Sequence, residues 1–418
     1  MAYSKTTWQN NVTDIDENNL NKIEQGIYDN SLVVDAVTNT LNPTDTETYK
    51  TAELTEGQIT DVIGVSDIVI KGQTLQDGTP TPSAPVDVNV VKGSNAISIC
   101  NKNLFNNIAT SQTKHGIVFT INADKSIYAN GTATSTNALA LNQVYLEKEK
   151  TYFLSGCPSG GGSGKYTLSI NTTGTTTRLA TDAGSGVSYT PTESGTYDIS
   201  IGYWYGFNLN NLLFKPQIEV GSTATTYEEH QEKSYTINLG TLELCKIENY
   251  QDYFYKSGSK WYLHKEIKKV VLDGSESWST RSSGVGQLYE TTVSGFFSTT
   301  SLSLGLSNQY ASNINLTENN TFRIISGNTL AIHNDTISGL DNFKNALSSS
   351  NLIIYYPLAT ATDTEITDIT LINQLEAINN APLYEQTNIT QTNNDLPMVL
   401  DITACKDNIN GIKAFIRK

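Results

Sequence analysis

The chain has 418 residues and carries 27 lysines and arginines against 42 aspartates and glutamates, a formal net charge of −15 at pH 7. A surface this acidic argues against nucleic acid as the main partner. At roughly 150 residues per domain, the length predicts about three domains. Only 17% of the residues are charged, and the many threonine, serine and asparagine residues favour β-structure over a helical enzyme.

The sequence contains no segment that predicts membrane insertion or export. The longest apolar run, residues 352–359, is far shorter than the roughly 20 residues of a membrane-spanning helix. The N-terminus lacks the basic start and apolar stretch of a secretory signal, so we expect synthesis and retention in a cytoplasm. The four cysteines form no CxxC pair, which predicts ordinary thiols. They are Cys100, Cys157, Cys245 and Cys405.

Residues 1–42 predict a helix. Asp14 and Glu17 have the spacing of a capping box, and Pro43 ends the pattern. Residues then recur at steps of three and four, as in the seam of a coiled coil, with one asparagine that would fix register and oligomer number. The seam consists of Leu20, Ile23, Ile27, Asn30, Val34, Val37 and Leu41. We expect this helix to attach and oligomerise the protein; the alternative is one amphipathic helix packed on its own domain.

Residues 43–92 are expected to form a linker and short strands that belong to a β-domain, with strands at 67–70 and 86–90. Three prolines exclude residues 78–85 from a sheet interior, because each lacks the N–H that a ladder requires. From 93 to 232, short alternating segments between glycine, asparagine and serine predict an all-β domain. Its strands are expected at 116–122, 126–132, 151–155, 166–170, 196–205 and 212–220.

The predicted strand at 196–205 carries the best candidate for a binding residue. Period-two alternation places five residues on the core face and Trp204 on the other. The core-facing set is Tyr197, Ile199, Ile201, Tyr203 and Tyr205. Because a flat apolar ring packs well on a pyranose, we predict Trp204 as a sugar contact with Tyr145, Asn208 and Asn210 as neighbours. The alternative is that Trp204 fills a contact between domains or subunits.

Residues 233–418 predict a C-terminal β-rich domain with one short helix at 369–378. Strands are expected at 235–239, 261–265, 269–272, 295–304, 321–325, 352–356 and 396–402. Trp261 and Trp278 in this region are interpreted as structural.

No motif for catalysis or metal binding is evident. The loop at 156–164 lacks the residues of a phosphate-binding P-loop, and no HExxH or calcium-loop pattern occurs. The acid pairs Glu228/Glu229 and Asp273/Glu276 have no catalytic context. The four histidines are scattered, and no GxSxG flanks a serine. We therefore expect a protein without catalytic activity, cofactor or metal ligands in its side chains.

Four dispersed segments resemble baseplate and tail-fibre proteins of phages of Gram-positive bacteria. The first is Trp8-Gln9-Asn10 followed by IDENNLNKIEQGIY at 15–28, which serves as an attachment element in that group. The others are QDGTPTPSAPV at 76–86, WYLHKEI at 261–267 with VLDGSE at 271–276, and YYPLA at 355–359. The resemblance covers the chain nearly end to end.

The region 93–232 also resembles a jelly-roll module of the carbohydrate-binding type. The matching segments are NLF at 103–105, IYANGTAT at 127–134, FKPQIEVG at 214–221 and ATTY at 224–227. Since the tail-protein segments lie on both sides of this region, we expect the module to be inserted into a second β-domain or strung between its halves.

These resemblances imply a mainly β protein, with a coiled-coil-like N-terminal helix followed by β-sandwich or jelly-roll domains. They imply a virion structural protein of the tail tip or baseplate that contacts other tail proteins as a homotrimer and recognises a host surface glycan. No enzyme activity, cofactor, nucleic acid or membrane insertion is expected. Two alternatives are a tail-associated enzyme that degrades polysaccharide, and an architectural adaptor that binds no ligand.

Overall fold

The computed structural model describes ten segments of the chain. They are residues 49–55, 57–60, 66–175, 177–284, 286–295, 305–313, 315–325, 328–384, 386–392 and 396–405. The predicted N-terminal helix with its seam residues and trimer lies outside the described residues, as do positions 296–304 of the strand expected at 295–304.

The described residues form a mainly β protein with thirty strands and two helices, which confirms the predicted class. In chain order the first strands are β1 (Tyr49–Leu54), β2 (Gly57–Thr60), β3 (Ser66–Lys71), β4 (Thr74–Leu75), β5 (Asn89–Cys100), β6 (Gln112–Lys114), β7 (Ile117–Ile121), β8 (Ile127–Thr132), β9 (Asn137–Leu146), β10 (Tyr152–Ser155), β11 (Tyr166–Thr172), β12 (Arg178–Asp182), β13 (Val187–Tyr189), β14 (Gly195–Tyr203), β15 (Asn208–Phe214) and β16 (Gln217–Val220). They are followed by β17 (Glu232–Leu244), β18 (Lys246–Ile247), β19 (Tyr250–Gln251), β20 (Tyr253–Ser257), β21 (Lys260–Leu272), β22 (Ser279–Ser283), β23 (Gly286–Thr292), β24 (Leu306–Ser307), β25 (Ala311–Ser312), β26 (Thr321–Ile325), β27 (Thr329–His333), α1 (Leu340–Ser349), β28 (Leu352–Glu365), α2 (Ile369–Asn379), β29 (Gln386–Thr392) and β30 (Val399–Cys405).

Two sheets and α2 form what we call the central unit. The larger sheet has the order β1-β30-β3-β20-β21-β28-β24, and the smaller has β17-β5-β29-β2 with β4 beside β5. Apolar residues of both sheets share one core. The helix begins where the Asp368 side chain accepts hydrogen bonds from two backbone N–H groups, and it buries Leu371, Leu375 and Ile378 against this core. This confirms the helix predicted at 369–378.

Residues 101–231 form the inserted module. Cys100, the last residue of β5, pairs with Glu232, the first residue of β17, so the chain leaves and re-enters the central unit at one point. The module contains three sheets, β13-β10-β16, β12-β11-β14-β9 and β15-β8-β7-β6. Its apolar side chains form a core separate from that of the central unit.

Residues 273–351 form the lateral unit, which lies between β21 and β28. Its sheet has the order β22-β23-β27-β26-β25, and its core includes the ends of the two strands that lead into and out of it. The Phe343 ring of α1 stacks on Tyr289 with centroids 3.9 Å apart, and Trp278 meets the same ring edge-on at 5.0 Å. Burial of Trp278 and Trp261 at 7% and 1% exposure confirms their structural interpretation.

Several strand limits differ from the sequence predictions for identifiable reasons. Residues 86–88 do not extend β5, since the Val86 N–H donates to the Asn308 carbonyl outside any ladder. The strand predicted at 212–220 is two strands, because Pro216 has no N–H and Lys215 donates to Gly156 instead. The strands predicted at 261–265 and 269–272 are one continuous strand with a bulge after Lys265.

The helices of the described segments have ten and eleven residues, and neither has the length and apolar character needed to cross a bilayer.

Candidate functional site

Trp204 lies just beyond the strand that was predicted to carry it. Strand β14 ends at Tyr203, so the chain turns at Trp204, whose N–H donates to the Lys165 carbonyl at 3.1 Å. Ile199, Ile201 and Tyr203 are buried as predicted, but Tyr205 is 75% exposed rather than in the core, because it has already left the strand. The Arg178 guanidinium lies 4.6 Å from the centre of the Trp204 ring. One face of the indole is therefore covered within the module itself.

The structure does not bring the four predicted sugar contacts together. Tyr145 pairs with Thr196 on the neighbouring strand, whereas Trp204 follows the residue that pairs with Asn137. Eight residues separate these two ladder positions, or about 26 Å at the usual rise of a strand. Asn208 and Asn210 are exposed on β15, which belongs to a different sheet.

Tyr145 instead borders a groove between the inserted module and the smaller sheet of the central unit, which we call the junction groove. Its volume is about 380 Å³, within the range of small-molecule sites. The module contributes Tyr145 and Gln143 of β9, and the central unit contributes Asn388 and Thr390 of β29. Both walls are strands with cores behind them, so they form a firm frame for the side chains between them.

The local pattern of β9 explains why Tyr145 is exposed. Val144 and Leu146 on either side of it are buried in the module core, so alternation turns the tyrosine outward. It remains 63% exposed, although tyrosine is a large and partly apolar residue. An exposed ring beside a concave surface is a common feature of binding sites.

Hydrogen bonds fix the polar side chains of the groove. Asn388 donates to the Asn101 carbonyl at 2.8 Å and accepts from Gln58 at 3.1 Å. Glu232 contacts the Ser98 hydroxyl, and its other oxygen lies 3.3 Å from His230 Nε2. His230 Nδ1 is within 2.5 Å of a backbone carbonyl oxygen, so this nitrogen carries the proton. These contacts hold a carboxylate and amides in place beside the ring of Tyr145.

The geometry of the groove does not assemble a nucleophile. A serine nucleophile needs an imidazole next to its hydroxyl, but the Ser98 hydroxyl contacts the carboxylate of Glu232, and the imidazole lies on the far side of that carboxylate. Burial, with the nearby Glu232, raises the pKa of Cys100 to about 12, so this thiol stays protonated near neutral pH. The groove is therefore equipped to bind polar groups rather than to attack them.

The acid pairs considered in the sequence have structural partners. Glu228 forms an ion pair with the buried Lys102 at 3.0 Å. Glu276 accepts hydrogen bonds from the Asp273 and Gly274 N–H groups and from the indole of Trp278, so it stabilises the turn that begins the lateral unit. Among the described residues, no three histidine, cysteine, aspartate or glutamate side chains form a group that could hold a metal ion.

Sequence reasoning missed His230, Glu232 and Asn388 as residues of the groove. Glu232 and Asn388 both pair with Cys100 in the ladders of the smaller sheet, although 156 positions separate them along the chain. The only local signal was the position of His230 and Glu232 at the end of the predicted module.

Comparison with known proteins adds no relative: no family model, curated protein or solved structure matches this chain significantly.

Proposed function

We propose that this protein is a structural component of a phage tail tip or baseplate, or of a related phage-tail-like particle, that binds a host surface glycan in the junction groove. The resemblance of four segments to tail proteins of phages of Gram-positive bacteria supports the first part. The exposed ring of Tyr145 in a groove lined by amides and a carboxylate is the observation that carries the second.

The chemistry of the groove suits a hydroxyl-rich ligand. Sugar hydroxyls both donate and accept hydrogen bonds, so they match the mixed lining of Gln143, Glu232 and Thr390. The C–H face of a pyranose packs against an aromatic ring. Lys150, the lysine at the edge of the groove, is paired with Glu147 at 3.0 Å. Together with the net charge of −15, this pairing disfavours strongly anionic wall polymers unless cations screen the contact.

The resemblance of residues 93–232 to carbohydrate-binding jelly-roll modules supports the same proposal. In this reading, the module and the central unit jointly form the binding surface, while the N-terminal segment attaches the protein to its neighbours in the tail as a homotrimer. The protein works by attachment and contact, with no bond broken in the glycan.

Binding of the purified full-length protein to wall polysaccharide of a Gram-positive host tests the glycan half. We expect Tyr145→Ala to weaken binding at least tenfold, because base-independent ring stacking on a ligand is worth on the order of 1–3 kcal/mol. Tyr205→Ala is the matched control, since Tyr205 is equally accessible but lies at the other end of the module. Equal affinities of the two variants, or release of new reducing ends, would contradict the proposal.

Immunogold electron microscopy of intact particles tests the tail half. Antibodies against the inserted module should label the tail tip or baseplate. Particles that carry no label, while the infected lysate contains the soluble protein, would contradict a virion role. Light scattering of the full chain and of a variant without residues 1–42 tests the trimer: we expect three copies in the first and one in the second.

A further inference from the structure

The larger sheet of the central unit contains a break between β3 and β20. These strands pair only through Ile70 with Phe254 and Lys71 with Tyr253. The same register would place Ile68 opposite Lys256, but the Ile68 N–H donates at 3.0 Å to the side-chain oxygen of Asn379 in α2. A side chain of the helix therefore takes the place of the strand partner, and the two strands separate beyond it.

The separation leaves a cleft of about 640 Å³, which we call the sheet notch. One wall is formed by Asp67 and Val69 of β3, and the opposite wall by Tyr255 and Lys256 of β20. Asn379 and Asn380, from the end of α2, complete the lining. The notch is distinct from the junction groove, because the two share no lining residue.

Asn379 presents an unused hydrogen-bond donor to the notch. Its side-chain oxygen is occupied by Ile68, whereas its amide nitrogen has no partner within the described part of the chain. The residue is only 3% exposed. A buried amide that keeps one N–H pair unsatisfied has a free-energy cost that a hydrogen-bond acceptor in the notch would remove.

The charged groups of the notch favour a neutral ligand. The ammonium of Lys256 is bound by Glu376 at 2.6 Å, and Glu376 also accepts from the side chains of Trp261 and Asn380. This leaves Asp67 as the ionised side chain that lines the notch without a lysine opposite it that is free to pair with a ligand. A carboxylate beside the ligand repels an anion and accepts hydrogen bonds from hydroxyl groups.

An aromatic wall completes the site. The Tyr255 ring stacks on Tyr262 of the neighbouring strand with centroids 5.5 Å apart and an angle of 23° between the rings, so its orientation is fixed. Val69 provides an apolar surface on the opposite wall. One ring, one apolar side chain, a free amide donor and a carboxylate acceptor are the groups that recognise the two faces and the hydroxyls of a pyranose.

We propose that the sheet notch is a second ligand site, which binds one neutral saccharide unit between Tyr255 and Val69 with Asn379 donating to a ligand oxygen. This proposal does not depend on the junction groove, since a saccharide could occupy either site alone. If both sites take units of one polymer, the protein grips the glycan at two points and gains avidity.

Calorimetric titration and saturation-transfer NMR of the full chain with methyl glycosides test the proposal. The neutral probes are methyl glucoside, methyl galactoside and methyl N-acetylglucosaminide, and the anionic probe is methyl glucuronide. We expect at least one neutral probe to bind, and the glucuronide to bind at least tenfold more weakly than that probe. No binding by any neutral probe at millimolar concentration, or tighter binding of the glucuronide, would overturn the proposal.

Variants separate the notch from the groove. Tyr255→Ala should weaken the bound probe at least tenfold, and Asn379→Asp should do the same because it keeps the acceptor for Ile68 but loses the donor. Tyr145→Ala is the control and should retain the notch affinity, so loss of groove binding alone leaves this proposal standing. Unchanged affinity in a folded Tyr255→Ala variant would place the ligand elsewhere and overturn the assignment.

Discussion

Asp252 offers the most specific test of how the central unit is held together. Its side chain is fully buried and accepts four hydrogen bonds. Three come from the backbone N–H groups of Cys245, Glu266 and Ile267, and one comes from the ammonium of Lys265 at 2.7 Å. Two of these N–H groups belong to the bulge of β21. The carboxylate therefore fixes the point where β21 passes from the central unit to the lateral unit.

Asp252→Asn keeps the size of the side chain but turns one acceptor into a donor. One oxygen can still accept from Glu266 and Ile267, but the new amide group faces the Cys245 N–H and the Lys265 ammonium, which are both donors. A buried N–H without a partner costs about 1–3 kcal/mol. Lys265 can turn toward water, because 27% of its side chain is exposed, so the cost stays below the roughly 3–5 kcal/mol of a fully buried broken pair. We expect a loss of about 3 kcal/mol in local stability.

Native-state hydrogen exchange is the appropriate assay, since it reports local stability in a chain with several units. The amides at 245–252 and 264–268 should lose protection in Asp252→Asn by about two orders of magnitude, the equivalent of about 3 kcal/mol. Lys265→Met is the matched control, because it leaves the carboxylate with its three backbone donors. Unchanged protection in Asp252→Asn, or an equal loss in Lys265→Met, would refute the reasoning.

Three further predictions concern the inserted module and the thiols. Gly156→Ala should destabilise the module by about 3 kcal/mol or more, because a Cβ would lie 1.8 Å from the Lys215 carbonyl oxygen and φ is +109°; thermal denaturation checks this, with Gly195→Ala, which meets no atom within 4 Å, expected to melt near the wild type. Hydrogen bonds from Ser126 hold the pKa of Asp124 below its ordinary value of 3.8, so its stabilising effect is complete above that value and is lost as pH falls through the lower folded value; Asp124→Asn should flatten this acid dependence in a pH series of melting temperatures. The three buried cysteine thiols, whose pKa burial raises to about 12, should resist alkylation at pH 8 until the protein is unfolded, as mass spectrometry of the labelled peptides would show.

Regular alternation made much of the β-structure predictable. Strands β3, β7, β8, β10 and β11 fall where period-two patterns and turn residues placed them. Strand β9 was missed because its pattern is broken: a bulge at Leu141 shifts the buried positions from Leu139 and Leu141 to Val144 and Leu146. Helix α1 was missed because it buries only Phe343 and Leu347 in ten residues, too few to give a helical period.

The candidate site could not be assembled from the sequence, because it depends on distant pairings. Local patterns singled out Tyr145, but as a neighbour of Trp204, which lies at the other end of the β9–β14 ladder. The opposite wall of the junction groove comes from β29, which pairs with β5 across almost 290 positions. No local signal links such segments, since register between distant strands is set by packing of the whole unit.

Hydrogen–deuterium exchange of the full chain, with and without a wall oligosaccharide of the host, tests the account most directly. The account predicts that the oligosaccharide slows exchange in peptides covering 142–150, 228–234 and 386–391, the three stretches that meet at the junction groove, and that the sugar is recovered uncut. Slower exchange confined to the turn at Trp204, or recovery of shortened oligosaccharide, would contradict it.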